Sequence, residues 1–132
     1  MRSTIPSLIF GLALGASSWA IVSLVSDQFE PFDSEIGFYS GQIMLAAAAF
    51  YLGLSRGLKQ VLVYIVGVYI GCVVYAYVFG SSETRAWILL GLIMTWGLCV
   101  IPLLSGIFGK LVSIGKKKYK KRLQGDAATP RA

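Results

Sequence analysis

The feature of this sequence that most constrains its fold is a series of four apolar runs that contain no charged side chain within their membrane-length cores. They cover residues 5–26, 36–54, 61–79 and 86–109. Each run has roughly 19 to 24 residues, and an α-helix needs about 20 to cross the hydrocarbon core of a bilayer. Because backbone amides in lipid must be satisfied within their own segment, separated runs of this length favour helices. We therefore predict an all-α integral membrane protein, a four-helix transmembrane bundle.

The composition supports this interpretation and leaves no room for a second folded domain. Of the 132 residues, 56% are hydrophobic and only 14% are charged, whereas soluble domains carry about 25% charged residues. The four spans and their connections occupy residues 1–115, and residues 116–132 form a basic cytoplasmic tail. The end of that tail, residues 124–132, is small and polar, so we expect it to be disordered.

The distribution of basic residues predicts the orientation, because cytoplasmic loops carry an excess of Lys and Arg. Residues 55–60 have two basic residues and no acid, and the chain after Gly109 has eight basic residues and one acid. The connection 27–35 has four acids and no base, and residues 80–85 have one of each. We therefore expect both termini in the cytoplasm. Size and topology are typical of small bacterial inner-membrane proteins, so we expect a multi-pass protein of the cell inner membrane.

The first apolar run has an alternative interpretation as a cleaved signal peptide. Arg2 precedes it, and Ser18-Trp19-Ala20 loosely resembles a cleavage site. Against this, the run continues to Val25, and Arg2 is the single basic residue before it. Cleavage would leave three spans with the new N-terminus outside.

Small residues predict how the helices pack, since helices in lipid associate through close backbone approach and polar contacts. Gly11-x-x-x-Gly15 and Gly67-x-x-x-Gly71 fit the small-xxx-small pattern. We expect these four glycines to pack helices within one bundle. The alternative is that one of the stripes is an intermolecular face, which would make the protein a homo-oligomer.

The chemistry of the spans argues against catalysis and ion coupling. No acidic or basic side chain lies inside a predicted span, whereas proton-coupled carriers usually keep one at membrane depth. The sequence has no histidine, and its two cysteines, Cys72 and Cys99, are expected to be buried free thiols. Serine and threonine hydroxyls in apolar helices usually bond to their own backbone. We therefore assign no catalytic residue, no metal site and no cofactor.

Three positions are candidates for a polar contact inside the membrane. Gln42 is the one side-chain amide well inside a span, where it would make an interhelical hydrogen bond or line a polar pathway. Pro102 cannot donate to the Leu98 carbonyl, so it should kink the fourth helix and leave that carbonyl free for a contact. Thr95 lies two turns before Pro102 on the same stripe.

The connection between the first two spans mixes carboxylates with aromatic rings. We expect either a plain solvated loop or a recognition loop for a partner protein, with aromatic anchors among charges. The candidate partner-contact residues are Asp27, Phe29, Glu30, Phe32, Asp33 and Glu35.

A basic run follows the last span, and attraction to anionic lipid headgroups contributes about 1 kcal/mol per basic residue. Tyr119 alone is no stacking platform, so we expect no nucleic-acid binding. The candidate lipid-contact residues are Lys116, Lys117, Lys118, Lys120, Lys121 and Arg122.

Two functions remain after these exclusions. The first is a non-enzymatic protein that acts through contacts with another membrane or periplasmic protein, as an accessory subunit or as an immunity or exclusion factor. The second is a small transporter or channel subunit for a neutral or lipidic solute. A cavity containing Gln42 and Thr95 would favour transport, and a dry bundle with a protruding loop at 27–35 would favour contact.

Overall fold

The computed structural model describes residues 4–128, with side chains for residues 4–125, and this part of the chain is helical without a β-strand. One 3₁₀ turn, Pro31–Asp33, lies between the first two helices. Four helices are long and apolar enough to cross a membrane, which confirms the all-α prediction with four such helices. The helices are α1 (Ile5–Val25), α2 (Glu35–Ser55), α3 (Leu58–Phe79), the short α4 (Ser82–Ala86) and α5 (Ile88–Ala128).

Local residues explain where several of these helices begin. Pro6 lies in the first turn of α1, where its missing N–H costs nothing. The Ser34 hydroxyl accepts the Gly37 N–H at 3.1 Å and so caps α2. Ser81 caps α4 in the same way through the Thr84 N–H. Between α2 and α3, Gly57 adopts a φ of 97°, which allows the chain to reverse within two residues.

The bundle consists of two parallel helix pairs that pack antiparallel to each other. One pair is α1 with α3, and the other is α2 with α5. The pairs meet where α1 contacts α2, where α2 contacts α3 and where α3 contacts α5, whereas no Cα atoms of α1 and α5 lie within 8 Å of each other in the described residues. We call the end that carries residues 26–34 and α4 the loop end. The opposite end, with Arg56 and Gly57, is the tail end.

The predicted glycine motifs bring α1 and α3 into backbone contact. A Cβ atom at any of the four positions would overlap the backbone of the facing helix, so only glycine fits this spacing. The two motifs therefore pack against each other inside one chain, and neither stripe is left free. The overlaps involve Gly11 with Tyr64, Gly15 with Val68, Gly67 with Leu8 and Gly71 with Leu12.

A second close approach joins α2 to α5. A Cβ atom at Gly53 would overlap the Gly106 carbonyl, and one at Gly109 would overlap the Phe50 carbonyl. The Ser105 hydroxyl donates to the Ala46 carbonyl at 2.9 Å across the same contact. Each parallel pair thus uses small residues to bring its two backbones together.

Helix α5 extends well beyond the predicted fourth span. It continues through the basic run to Ala128, so it includes residues 124–128, for which the sequence predicts disorder. The reason is local: residues 103–128 contain no proline, and Lys, Arg and Leu are good helix formers. After Gly109 no described side chain of α5 is buried. Residues 129–132, the rest of the predicted disordered segment, lie outside the described residues.

The core runs along the centre of the bundle and includes residues of all four long helices. Tyr64 is fully buried, and its hydroxyl donates to the Leu45 carbonyl at 3.1 Å. Many large apolar side chains, such as Leu24, Ile43 and Ile93, are mostly exposed. An exterior of this kind is typical of a surface that faces lipid. The buried apolar residues are Trp19, Val22, Leu45, Ala49, Leu52, Val61, Tyr64, Val68, Cys72, Leu98 and Cys99.

Candidate functional site

Gln42 forms a hydrogen bond with the α5 carbonyl that Pro102 leaves without a backbone donor. Its side chain is 5% exposed, and its Nε2 donates to the Leu98 carbonyl at 3.1 Å. Pro102 has no N–H to donate to this carbonyl, so an α2 side chain supplies the missing donor. This contact between α2 and α5 therefore involves Gln42 and Pro102, two of the three positions that the sequence identifies as candidates for a polar contact.

Thr95, the third position, does not join this contact. Its hydroxyl donates to the Gly91 carbonyl of its own helix at 2.7 Å. The second atom of the amide, Gln42 Oε1, is buried and has no hydrogen-bond partner among the described residues. The Gln42 contact is consequently one interhelical hydrogen bond, not a continuous polar pathway.

The structure also reveals a buried polar pair that sequence reasoning missed. The Ser7 hydroxyl donates to Gln60 Oε1 at 2.6 Å, near the tail end of the α1–α3 pair. Gln60 lies just before the predicted third span, in the first turn of α3. In the sequence, only its amide side chain could have marked it as a candidate for a buried polar contact. Cys72 and Cys99 are both free and buried, as the sequence predicts.

The loop between α1 and α2 folds onto the bundle and does not protrude. Phe29 lies between Trp19 and Tyr75, with ring centroids 5.6 Å and 6.2 Å away. Phe29 is therefore half-buried and packs against the loop end of the core, whereas the sequence groups it with Phe32 as a candidate partner contact. Phe32 differs, because 48% of it is exposed and its ring lies 6.1 Å from Phe38.

The loop carboxylates have different degrees of exposure. Asp27, Asp33 and Glu35 are exposed, and Glu30 is half-buried. Glu35 lies in the first turn of α2, where a negative charge is favourable beside the positive end of the helix dipole.

An apolar cleft opens at the loop end between α3 and the first turns of α5. It encloses about 110 Å³. Trp19 and Thr95 lie at its inner end, and Val73, Leu90 and Met94 contribute to its walls. Gln42 does not line it. Gln42 and Thr95, which a transport pathway was expected to bring into one cavity, are thus separated in the structure.

The cleft lies where the first turns of α5 pack loosely against the other helices. Leu89, Leu90 and Ile93 are 48% to 75% exposed. A Cβ atom at Gly91 would meet nothing within 4 Å, unlike one at the tightly packed Gly106 farther along the helix. The backbones of α1 and α5 stay apart here, and Trp19 of α1 borders the cleft with its side chain.

Charged groups surround the mouth of the cleft. A shallow polar hollow above it is lined by Glu30 and Asp33 of the loop and by Glu83 of α4. Arg85 lines the cleft itself, where its Nε donates to the Tyr77 carbonyl at 3.1 Å and its guanidinium lies 5.5 Å from the Tyr77 ring. These contacts hold the Arg85 head group at the mouth.

The basic run is exposed along the extension of α5. No group of three His, Cys, Asp or Glu side chains in the described part of the chain is arranged to hold a metal ion.

Comparison of the chain with protein-family models, with curated proteins and with solved structures found no match.

Proposed function

We propose that this chain is a non-enzymatic protein of a bacterial inner membrane that acts by binding another membrane or periplasmic protein. An accessory subunit of a membrane assembly and an immunity or exclusion factor both fit this description. The observation that carries the proposal is the rim of the loop end. There Phe32 and Trp87, 48% and 65% exposed, lie among the carboxylates of Glu30, Asp33 and Glu83.

The rim has the chemistry of a protein contact. Exposed aromatic rings supply most of the binding energy in such surfaces, and a surrounding polar border excludes water. Phe32 comes from the α1–α2 loop and Trp87 follows α4, so two separate connections form one surface. This is a better-defined surface than the loop alone, because Phe29 is occupied by the core.

The orientation belongs to the same proposal. Both connections with a basic excess, residues 55–60 and the extension of α5, lie toward the tail end, which would place that end in the cytoplasm. The rim would then face the periplasm. The basic side chains on the α5 extension would contact anionic headgroups of the inner leaflet.

A photo-crosslinking residue in place of Phe32 tests the contact. We expect a specific adduct in intact cells, and we expect it to disappear when Glu30, Asp33 and Glu83 are changed to Gln or Asn while the membrane level stays constant. The same residue in place of Leu89 is the matched control, since Leu89 is 75% exposed and lines neither the cleft nor the hollow.

An identical set of adducts from both positions, unaffected by the neutral variant, would contradict the contact function. Such a result would mean that the rim meets only the proteins that any lipid-facing position meets.

A second candidate is transport of a neutral or lipidic solute. The observation that favours it is the apolar cleft, which includes Thr95. The position of Gln42 away from the cleft argues for the first candidate, since the polar groups do not line one route.

A further inference from the structure

The apolar interior of the cleft below the rim is a feature that the proposed protein contact does not use, and Arg85 and the rim carboxylates place both signs of charge at its mouth. We propose that it binds one acyl chain of a membrane phospholipid with a zwitterionic headgroup. The chain end lies between α3 and α5, the phosphate lies at Arg85 and the ammonium group lies at the carboxylates across the mouth. This inference shares the carboxylates Glu30, Asp33 and Glu83 with the proposed protein contact, but lipid quenching tests it separately from crosslinking.

The size of the cleft fits a slender aliphatic occupant. Pockets for ordinary small molecules enclose roughly 300 to 1,000 Å³, and an apolar cavity of about 150 Å³ holds one benzene. The 110 Å³ here is close to the smaller value. It accommodates the end of one hydrocarbon chain and is too small for a sugar or a nucleotide.

The position of the cleft gives a lipid chain direct access from the side. Leu90, Met94 and Tyr77 line it, and each is about half exposed. In a protein that spans the membrane, these exposed parts face hydrocarbon. A lipid chain therefore enters without crossing water, and it covers apolar surface that the first turns of α5 leave exposed.

The charges at the mouth favour a zwitterion over an anion. The Arg85 guanidinium is held by Tyr77 through its Nε, and its two terminal nitrogens can donate to a phosphate. Glu30, Asp33 and Glu83 line the adjoining hollow, so three carboxylates accompany one guanidinium. A headgroup with a phosphate and an ammonium satisfies both signs, whereas a purely anionic headgroup meets the carboxylates unpaired.

Tryptophan quenching by brominated acyl chains tests whether a lipid chain occupies the cleft. The variant with Trp87→Phe and Trp96→Phe leaves Trp19, which is 5% exposed and lies at the inner end of the cleft. In bilayers of brominated phosphatidylethanolamine we expect strong quenching of Trp19, because a chain in the cleft brings bromine next to a ring that the surrounding bilayer does not reach.

Two glycine variants provide a matched pair in this background. Gly91→Leu fills the cleft and should abolish the quenching of Trp19. Gly97→Leu should leave it unchanged, because Gly97 does not line the cleft and its added Cβ also meets nothing within 4 Å. Absence of quenching in the parent, or equal quenching with Gly91→Leu and Gly97→Leu, would overturn the lipid-chain assignment.

The headgroup is tested by brominating one lipid at a time in a mixture of phosphatidylethanolamine and phosphatidylglycerol. We expect several-fold stronger quenching of Trp19 when the ethanolamine lipid carries the bromine. Neutralising Glu30, Asp33 and Glu83 should remove this preference and leave the total quenching in place. Equal quenching by the two lipids in the parent protein would overturn the zwitterionic assignment.

Discussion

The side-chain amide of Gln42 donates to the carbonyl oxygen of Leu98 at 3.1 Å, across the contact between α2 and α5. Pro102 leaves this carbonyl without its backbone donor. A proline in one helix and an amide in another are therefore a matched pair: each would be unfavourable in a buried apolar environment without the other. Helix α5 continues through Pro102, and the Gln42 amide supplies the donor that its backbone lacks there.

The coupling between Gln42 and Pro102 can be measured directly. Gln42→Met should lower the free energy of unfolding in detergent by about 1 kcal/mol, within the range for interhelical hydrogen bonds. In a Pro102→Ala background the cost should be smaller, because the introduced alanine returns a backbone donor to the Leu98 carbonyl. A double-mutant cycle gives the interaction energy.

Thr95→Val serves as the control for this cycle, since the Thr95 hydroxyl bonds within its own helix. If Gln42→Met costs the same free energy in the parent protein and in the Pro102→Ala variant, the two residues do not form a matched pair.

The glycine contact between α1 and α3 predicts a large effect at Gly71. Gly71→Leu should destabilise the protein by about 1 to 3 kcal/mol or more, because even its Cβ overlaps the Leu12 carbonyl. Val66→Leu, at a half-exposed position on the same helix, should be nearly neutral. Thermal unfolding in detergent compares them.

Because this contact lies within one chain, the loss of stability caused by Gly71→Leu should not depend on protein concentration. A concentration-dependent loss would instead assign the Gly67–Gly71 stripe to an interface between copies.

The two loop phenylalanines should behave differently when truncated. Phe29→Ala should lower stability by about 2 kcal/mol, since its ring packs against Trp19 and Tyr75. Phe32→Ala should change stability by about 0.5 kcal/mol or less and should weaken crosslinking or activity at constant membrane level. Unfolding curves together with a partner-contact assay separate the two effects. Equal loss of stability in both variants would contradict the placement of Phe29 in the core and Phe32 on the rim.

Cysteine labelling in intact cells tests the proposed orientation. Single cysteines at Asp33 and Ser82 should react with a membrane-impermeant reagent, and those at Arg56 and Gly115 should react only after permeabilisation. All four positions are exposed, so accessibility within the fold is matched. The two native cysteines are buried and provide a low background. Labelling of Arg56 from outside would rule out cytoplasmic termini.

The sequence by itself determined the four long helices, because uninterrupted apolar runs of membrane length permit few other structures. It also identified Gly11, Gly15, Gly67 and Gly71 as packing positions and the Leu98 carbonyl as a free acceptor. These inferences rest on local chemistry: a glycine has no Cβ, and a proline has no N–H, whatever surrounds it. The helical conformation of residues 124–128 was missed because their small, polar side chains suggested disorder at the end of the tail, whereas α5 continues through them.

Only the tertiary structure decided which positions meet. Helix periodicity places Gln42 on a face of α2, but the pairing of α2 with α5 depends on how all four helices fit together, and this brings Gln42 to Leu98 and keeps it from Thr95. The same fit turns Phe29 inward and Phe32 outward from one short loop. It also leaves an apolar cleft between α3 and the first turns of α5, with Trp19 of α1 at its border. Such features depend on contacts between distant residues, which periodicity along one helix does not specify.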